Sequence, residues 1–488
     1  MTFTEAAAAE MRQRIRQRLE EEALRQPAIT HWQEQLALFE SAHIGTLHSF
    51  CLQLVRQHFY QLELDPQLTV LPQEEARLLA DETLDGLLQK YYAGRDPAAE
   101  GVQQLIHAQG GGSDDRIRWL VLRLHEYSQT LPDAEGWLGT QLGMFQISEP
   151  TQWRVWLNDG IVSWRLEWLA TLERLGPGNR LAQNCTPILQ RVTQQSAQTE
   201  IAEGLAEILQ AEKDFPRGNK AALTKPLKDL FADAAFLLSL IAVPQALAED
   251  WDWVRGQMAT LLEMTRQFSA AFHEAKRELG VVDFHDLEQG ALELLWDRQK
   301  EQPTAIAEQW RRQLRFIFVD EYQDINAAQD KIIEALSRSG TDANRFLVGD
   351  IKQSIYRFRL ANPYIFQGYV RQWRDGSGRV IPLVENFRSR EGLLEFINSL
   401  FERLMRPNLG GLAYDEEARL RFGAVAQRPT LAANGEPCVE WHIRLKVADD
   451  YDDGEEPGLE EVRELQEAEK EARLLGLRLR ELRARRHP

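Results

Sequence analysis

The chain has 488 residues, 43% hydrophobic and 27% charged, which suits roughly three globular domains and excludes wholesale disorder. Its net charge of −18 argues against a nucleic-acid coat, though not against a motor gripping DNA through a few arginines and stacking aromatics. Three scattered cysteines (Cys51, Cys185, Cys438), no apolar run near the ~20 residues of a membrane span and no visible secretory signal lead us to expect a soluble, cytoplasmic protein.

Ala7, Met11, Ile15 and Leu19 repeat on one face of residues 4–24 and predict a helix. A second helix is expected after Thr46-Leu47-His48-Ser49. Phe50, Leu54, Val55, Phe59 and Leu62 form its stripe, and Thr46 or Ser49 is its N-cap. Residues 73–280 read as almost entirely helical, punctuated by Gly110-Gly111-Gly112, Leu131-Pro132-Asp133 and Gly176-Pro177-Gly178. Trp153, Trp156, Trp164 and Trp168 fall at helical spacing there and read as core.

The pattern then changes. The apolar run 315–319 reads as a buried parallel strand ending in Asp320-Glu321. A helical stretch follows with Ala327, Ile332, Ile333 and Leu336, and then a second strand at 345–348 ends in Gly349-Asp350. This is a βαβ unit that delivers carboxylates to one sheet edge. A third strand is expected at 380–384, leading into Glu385-Asn386-Phe387-Arg388. Residues 449–456 form an acidic linker before a final helix rich in Glu and then Arg.

A strand that ends in Asp-Glu suits phosphate hydrolysis. Asp320 is placed to hold Mg²⁺, and Glu321 to orient and deprotonate a water. An isolated run of this kind is more simply a strand ending in two solvated acids. Here it continues as Tyr322-Gln323-Asp324, and Gly349-Asp350-Ile351-Lys352-Gln353-Ser354-Ile355-Tyr356-Arg357-Phe358-Arg359 follows one βα step later. The combination is specific.

Together these runs resemble the UvrD/Rep-like superfamily-1 DNA helicases. Residues 320–324 resemble their motif II, 349–359 motif III and 384–389 motif IV, while 2–11 are similar to motif Ia and 45–51 to motif Ic. The Gly110-Gly111-Gly112-Ser113-Asp114-Asp115 turn narrows the resemblance to the AddA subgroup, the helicase–nuclease subunits of AddAB recombination complexes. So do the 282–288 run and Leu131-Pro132-Asp133 before Trp137.

The resemblance implies an α/β, RecA-like P-loop NTPase core whose parallel sheet is drawn from residues 1–65 and 281–375. A helical insertion would span 66–280, and 376–488 would open a second motor domain. It implies ATP-driven 3′-to-5′ translocation and unwinding in double-strand-break repair, with ATP and Mg²⁺ as cofactors. Single-stranded and duplex DNA and an AddB-like subunit would be the partners. Asp320 and Glu321 would hold the metal, Gln353 would report on the γ-phosphate, Phe387 would stack on adenine and Arg388 would act as an arginine finger. Phe3, Tyr356 and Phe358 would stack on bases beside Arg357 and Arg359, while Thr4, Thr46 and His48 would contact phosphates or sugars. Core packing is the alternative for Phe358, and a satisfied helix-start role for His48.

The sequence also departs from the family. It contains no Gly-Lys-Ser or Gly-Lys-Thr of a P-loop, and Glu5 stands where relatives usually carry Asn. Motifs V and VI and the nuclease are not found. The expectation is a catalytically incomplete piece that starts after its own P-loop. A non-catalytic DNA-binding or assembly module is the alternative.

Overall fold

Thr4 and Thr46 each open a helix by the same device. Thr4 is extended at φ −125° and its hydroxyl accepts from the Ala7 N–H, starting α1 (Glu5–Arg25). Thr46 accepts from the Ser49 N–H and starts α3 (Leu47–Gln57), which decides between the two expected caps. The computed structural model describes residues 1–2, 4–176, 178–192, 198–215, 224–242, 244–407, 412–423, 439–443 and 466–484, with the backbone alone at 242, 244–246, 358 and 359. Two compact units, Met1–Val380 and Ile381–Pro488, divide the chain.

The first helix differs from expectation. It packs on α2 (Thr30–Leu38), yet Ala8 rather than Ala7 is buried and Ile15 is 40% exposed. Its anchors are polar: Arg12 and Arg16 both reach Glu40. In α3, Phe50, Leu54 and Val55 are buried, but the helix stops before Phe59 and Leu62.

A parallel pair brackets the helical region. Strand β1 (Thr69–Val70) lies beside β2 (Val281–Val282), Thr69 opposite Val281 and Val70 opposite Val282. Between them run α4 (Gln73–Tyr92), α5 (Ala99–Gly110), α6 (Asp115–Gln129), α7 (Ala134–Gln146), α8 (Thr151–Leu175), α9 (Arg180–Arg191), α10 (Gln198–Asp214), α11 (Lys228–Ala242) and α12 (Pro244–Glu278). The predicted breaks fall between helices. Gly111 and Gly112, at φ 61° and 98°, separate α5 from α6, and Asp133 caps α7.

Two apolar cores serve this region. Leu84, Tyr91, Ile117 and Phe268 belong to one, built on α4–α6 and α12. Ile161, Leu181, Leu205 and Ile208 belong to the other, built on α8–α11. The Trp164 and Trp168 indoles both donate to Asp233 Oδ2, at 3.0 and 3.3 Å, and Trp153 packs edge-on against Trp251. Trp156 is 56% exposed and the other three are half-buried, so the stripe flanks the apolar cores and does not fill them.

A third core joins the buried face of α3 to the elements that follow β2. Helix α13 (Phe284–Leu295) leads through the antiparallel pair β3 (Trp296–Asp297) and β4 (Gln302–Pro303) to α14 (Ala305–Gln313). Strand β5 (Ile317–Val319), α15 (Ala327–Leu336) and β6 (Arg345–Leu347) form the expected βαβ unit, with Ile317, Phe318 and Val319 opposite Arg345, Phe346 and Leu347. Met1 lies alongside β5, its amine donating to Phe318 O at 2.7 Å and its carbonyl accepting from Asp320 N at 3.1 Å. Thr2 in turn bridges Thr46 in parallel.

The sheet is smaller and more one-sided than expected. Helix dominates, and every sheet among the described residues is two-stranded. Ile317 and Val319 are buried, but Phe316, Phe318 and Phe346 on the other face are 60%, 59% and 49% exposed and pack on one another. The strand therefore buries one face, where a continuous apolar run suggested two. Helix α16 (Pro363–Gln372) completes the core through Phe366.

In the second unit, β7 (Glu385–Asn386) pairs in parallel with β8 (Arg421–Phe422), and α17 (Glu391–Leu404) lies between them in sequence. The strand expected at 380–384 is absent: these residues are irregular and pairing begins at Glu385. Pro382 supplies the reason, since it has no N–H to donate to a ladder. Helix α18 (Glu467–Ala484) is the final helix anticipated, and the acidic linker at 449–456 lies outside the described residues.

Candidate functional site

The site begins where β5 ends. Asp320 is half-buried, and its Oδ1 accepts from the Glu321 N–H at 3.0 Å. Glu321 takes left-handed backbone angles, φ 53° and ψ 42°, and is exposed. Such a conformation costs a non-glycine residue roughly 1–3 kcal/mol and is concentrated at functional positions. The chain then coils through Tyr322, Gln323 and Asp324, all buried. The Tyr322 hydroxyl donates to Asp330 Oδ1 at 2.6 Å and anchors the turn from below.

A fully buried amide links this turn to the end of β6. Gln323, 1% exposed, donates from Nε2 to Glu321 Oε2 at 2.7 Å and to Asp324 Oδ2 at 3.2 Å. Its Oε1 accepts from the Asp350 N–H at 2.9 Å. Gln353, which is exposed, donates to Asp350 Oδ2 at 3.0 Å, and Lys352 pairs with Asp350 Oδ1 at 2.9 Å. Burial, and then the nearby Glu321 charge, raise the Asp324 carboxyl above the usual range.

These residues include two carboxylates that could serve as hard-cation ligands. Asp320 and Glu321 offer hard carboxylate oxygens at one strand end, and neither is in a side-chain salt bridge among the described residues. Asp320, Glu321 and Gln353 are thus gathered at one edge of the β5–β6 pair, joined by Gln323 and Asp350, which the sequence reading did not single out as partners.

The residues expected to touch DNA divide into groups. The Thr46 hydroxyl is buried and donates to Glu5 Oε1 at 2.7 Å, while Thr4 is exposed at the start of α1. His48 Nε2 lies 2.8 Å from Glu288 Oε1, and its ring meets that of Phe284 edge-on at 5.0 Å. Glu288 is 2% exposed and also accepts from Asn326 Nδ2 at 3.1 Å and Gln329 Nε2 at 2.7 Å. Burial would raise its carboxyl, but His48 and Gln329 hold it below the usual range. Phe284 is 46% exposed; its only sequence signal is an aromatic just inside a capped helix start.

Tyr356 and Arg357 lie in a short helical turn after Gln353, and the Arg357 guanidinium sits 5.7 Å from the Tyr364 ring centroid. Phe3 and the side chains of Phe358 and Arg359 lie outside the described residues. In the second unit, the exposed Phe387 ring rests on Gly423, where a Cβ would meet its Cε1 at 2.6 Å. Asn386 Oδ1 accepts from the Arg388 and Ser389 N–H groups at 3.0 and 2.8 Å, turning the exposed Arg388 out of the strand end.

The strand-end carboxylates are thus joined to a glutamine-bearing loop that follows the neighbouring parallel strand. The chain belongs to the UvrD/REP helicase N-terminal domain family, which matches residues 1–372. A Heliobacterium modesticaldum protein named as the A-type subunit of an ATP-dependent helicase/nuclease is 34% identical over 94% of this chain and 38% of its own length. Proteins of the same name from Moorella thermoacetica and Bacillus pumilus are 36% and 33% identical, over 91% and 99% of this chain and 34% and 41% of their own lengths. The chain therefore spans about two fifths or less of these relatives. Among the described residues no helix is long and apolar enough to cross a membrane.

Proposed function

We propose that the chain is a leading motor part of an ATP-dependent DNA helicase of the AddA kind. ATP hydrolysis would drive 3′-to-5′ movement on single-stranded DNA and duplex unwinding in recombinational repair of double-strand breaks. The observation that carries this reading is the meeting of Asp320-Glu321 with the Asp350–Gln353 loop at one edge of a parallel pair.

Asp320 and Glu321 would hold Mg²⁺ beside the phosphates of ATP, where the ion neutralises charge on the transferring group. The exposed Glu321 carboxylate orients the attacking water and takes its proton. Gln353 meets the γ-phosphate, and Phe387 and Arg388 serve the adenine and the phosphoryl charge. Tyr356, Phe358 and Phe3 stack on bases, with Arg357 and Arg359 on phosphates. Thr4, Thr46 and His48 continue the DNA track, and the exposed Phe284 beside His48 joins it.

In the same proposal, residues 66–280 are an insertion into a motor domain made of 1–65 and 281–375, and 376–488 open a second one. The parallel pairing of Thr69–Val70 with Val281–Val282 supports this, because it brings the ends of the helical region together. The phosphate-binding loop lies on another part of a longer, cytoplasmic polypeptide that works with an AddB-like subunit. Coverage of 38% of the Heliobacterium modesticaldum protein and the lack of Gly-Lys-Ser or Gly-Lys-Thr in the 488 residues support that reading.

The test is ATP turnover by the full-length polypeptide that carries this chain, with and without single-stranded DNA. Stimulation that disappears in Glu321→Gln is the expected result. Stimulation that survives the substitution overturns the assignment.

A further inference from the structure

Three hydrogen bonds run in series through the site. Gln353 Nε2 donates to Asp350 Oδ2 at 3.0 Å, the Asp350 N–H donates to Gln323 Oε1 at 2.9 Å, and Gln323 Nε2 donates to Glu321 Oε2 at 2.7 Å. Of the two inner members, Gln323 is closed off from water at only 1% exposed, and Asp350 is half-buried. The outer members, Gln353 and Glu321, are both exposed.

We infer that Gln323 is a positioning residue that aims the Glu321 carboxylate and ties it to the loop carrying Gln353. This rests on the reading of Glu321 as the hydrolytic base. An amide suits the task because it is donor and acceptor at once. Its N–H end holds a carboxylate and its carbonyl end holds a backbone N–H, so neither end is exchangeable with the other. Being buried, it has no water to substitute for a lost partner, which makes the bonds costly to break.

Two further features are explained by this assignment. The left-handed backbone at Glu321 turns its side chain back toward Gln323, and the Nε2 bond holds it in that conformation. Gly349 leaves the space the amide needs: a Cβ there would stand 2.6 Å from Gln323 Oε1 and 3.1 Å from the Tyr322 nitrogen. A shift of the Asp350–Gln353 loop, caused by phosphate or DNA, must therefore move Gln323 or break its bond, and either outcome re-aims Glu321. A misplacement of about 1 Å in a catalytic group can cost 10²-fold in rate.

Two substitutions probe the amide. Gln323→Met keeps the volume and loses both bonds. Gln323→Glu keeps the acceptor toward Asp350 but sets a third buried acid against Glu321 and Asp324. In the full-length polypeptide, both should lower kcat by roughly 10- to 100-fold with KM for ATP within about twofold, and DNA stimulation should collapse toward the basal rate. In the 488-residue chain, amide exchange of segment 349–353 should rise roughly five- to tenfold in Gln323→Met.

Wild-type kcat and DNA stimulation in Gln323→Met overturn the inference. So does a loss that raises KM and lowers thermal stability in parallel, since that marks a packing role. If the wild-type polypeptide hydrolyses no ATP, the proposed function fails; unchanged exchange in Gln323→Met is a separate failure, that of the link itself.

Discussion

Lys276, in the last turn of α12, is 4% exposed and donates to Asp283 Oδ2 at 2.7 Å. The same ammonium lies 2.6 Å from Asp286 Oδ2 and 4.2 Å from the Phe272 ring centroid. Asp283 and Asp286 form the capping box of α13. One buried cation thus ties the end of the helical region to the start of α13, next to the β1–β2 pair.

Lys276→Met should destabilise the protein by about 3–5 kcal/mol at neutral pH, because it leaves two carboxylates in a buried site without their cation. The pH dependence follows from Asp286. Burial pushes its carboxyl up, but His273 and Lys276 outweigh that and hold it well below the ordinary range. A carboxyl depressed in the folded state contributes stability above its unfolded value, near pH 4, and loses it as pH falls further. Urea unfolding should therefore show a large gap between wild type and Lys276→Met at pH 7 and a narrower one near pH 3. A gap independent of pH would place the loss in packing against Phe272 instead.

Asp320 and Glu321 should separate when substituted in the full-length polypeptide. Glu321→Gln leaves nucleotide binding nearly intact and lowers turnover by a factor on the order of 10²–10⁴, as removal of a general base does. Asp320→Asn weakens Mg²⁺-dependent nucleotide binding first, since it removes charge at the metal. Affinity and turnover measured separately decide the matter, and equal losses of both in the two variants would defeat the division of roles.

His48 is both a candidate DNA contact and a partner of the buried Glu288. His48→Ala removes one of the three side chains that hold this carboxylate, leaving Asn326 and Gln329. A loss of about 1–3 kcal/mol in unfolding free energy is expected from the hydrogen bond alone. Binding of single-stranded DNA, titrated well below the melting range, tells whether the imidazole also touches DNA. Unchanged affinity in a folded His48→Ala protein confines it to the structural role.

What could be read in advance was local. The strands ending in Asp320 and Gly349, the helix between them, the Thr46 cap and the glycine turn after α5 all follow from side chains within a few positions of one another. The links that give the site its geometry join distant residues. Glu288 meets His48 across 240 positions, and Asp350 reaches Gln323 across 27. Apolar periodicity marks which face of a helix is buried but not which helix covers it, so the two separate cores of the helical region were not legible. The stripe on α1 misled for the converse reason: its long arginines and glutamates settle on Glu40 and on each other, leaving Ile15 in solvent.

Asp330 should respond to pH with the sign opposite to that of Asp286. It lies beneath the site, accepting from the Tyr322 hydroxyl at 2.6 Å and from the Tyr369 hydroxyl at 3.1 Å, while Arg345 donates to Tyr369 at 3.1 Å. Burial raises its carboxyl above the usual range, and the two tyrosines and Arg345 only partly offset this. A carboxyl raised in the folded state makes the folded protein hold the proton more tightly, so ionisation removes stability as pH rises. Asp330→Asn keeps an acceptor for Tyr322 and takes away the buried charge. It should stabilise the protein at pH 7 by on the order of 1 kcal/mol, and the gain should vanish below about pH 4, where the wild-type group is itself neutral. Urea midpoints at the two pH values measure this. Destabilisation at pH 7 would mean that Arg345 and the two hydroxyls stabilise the carboxylate more than its burial costs.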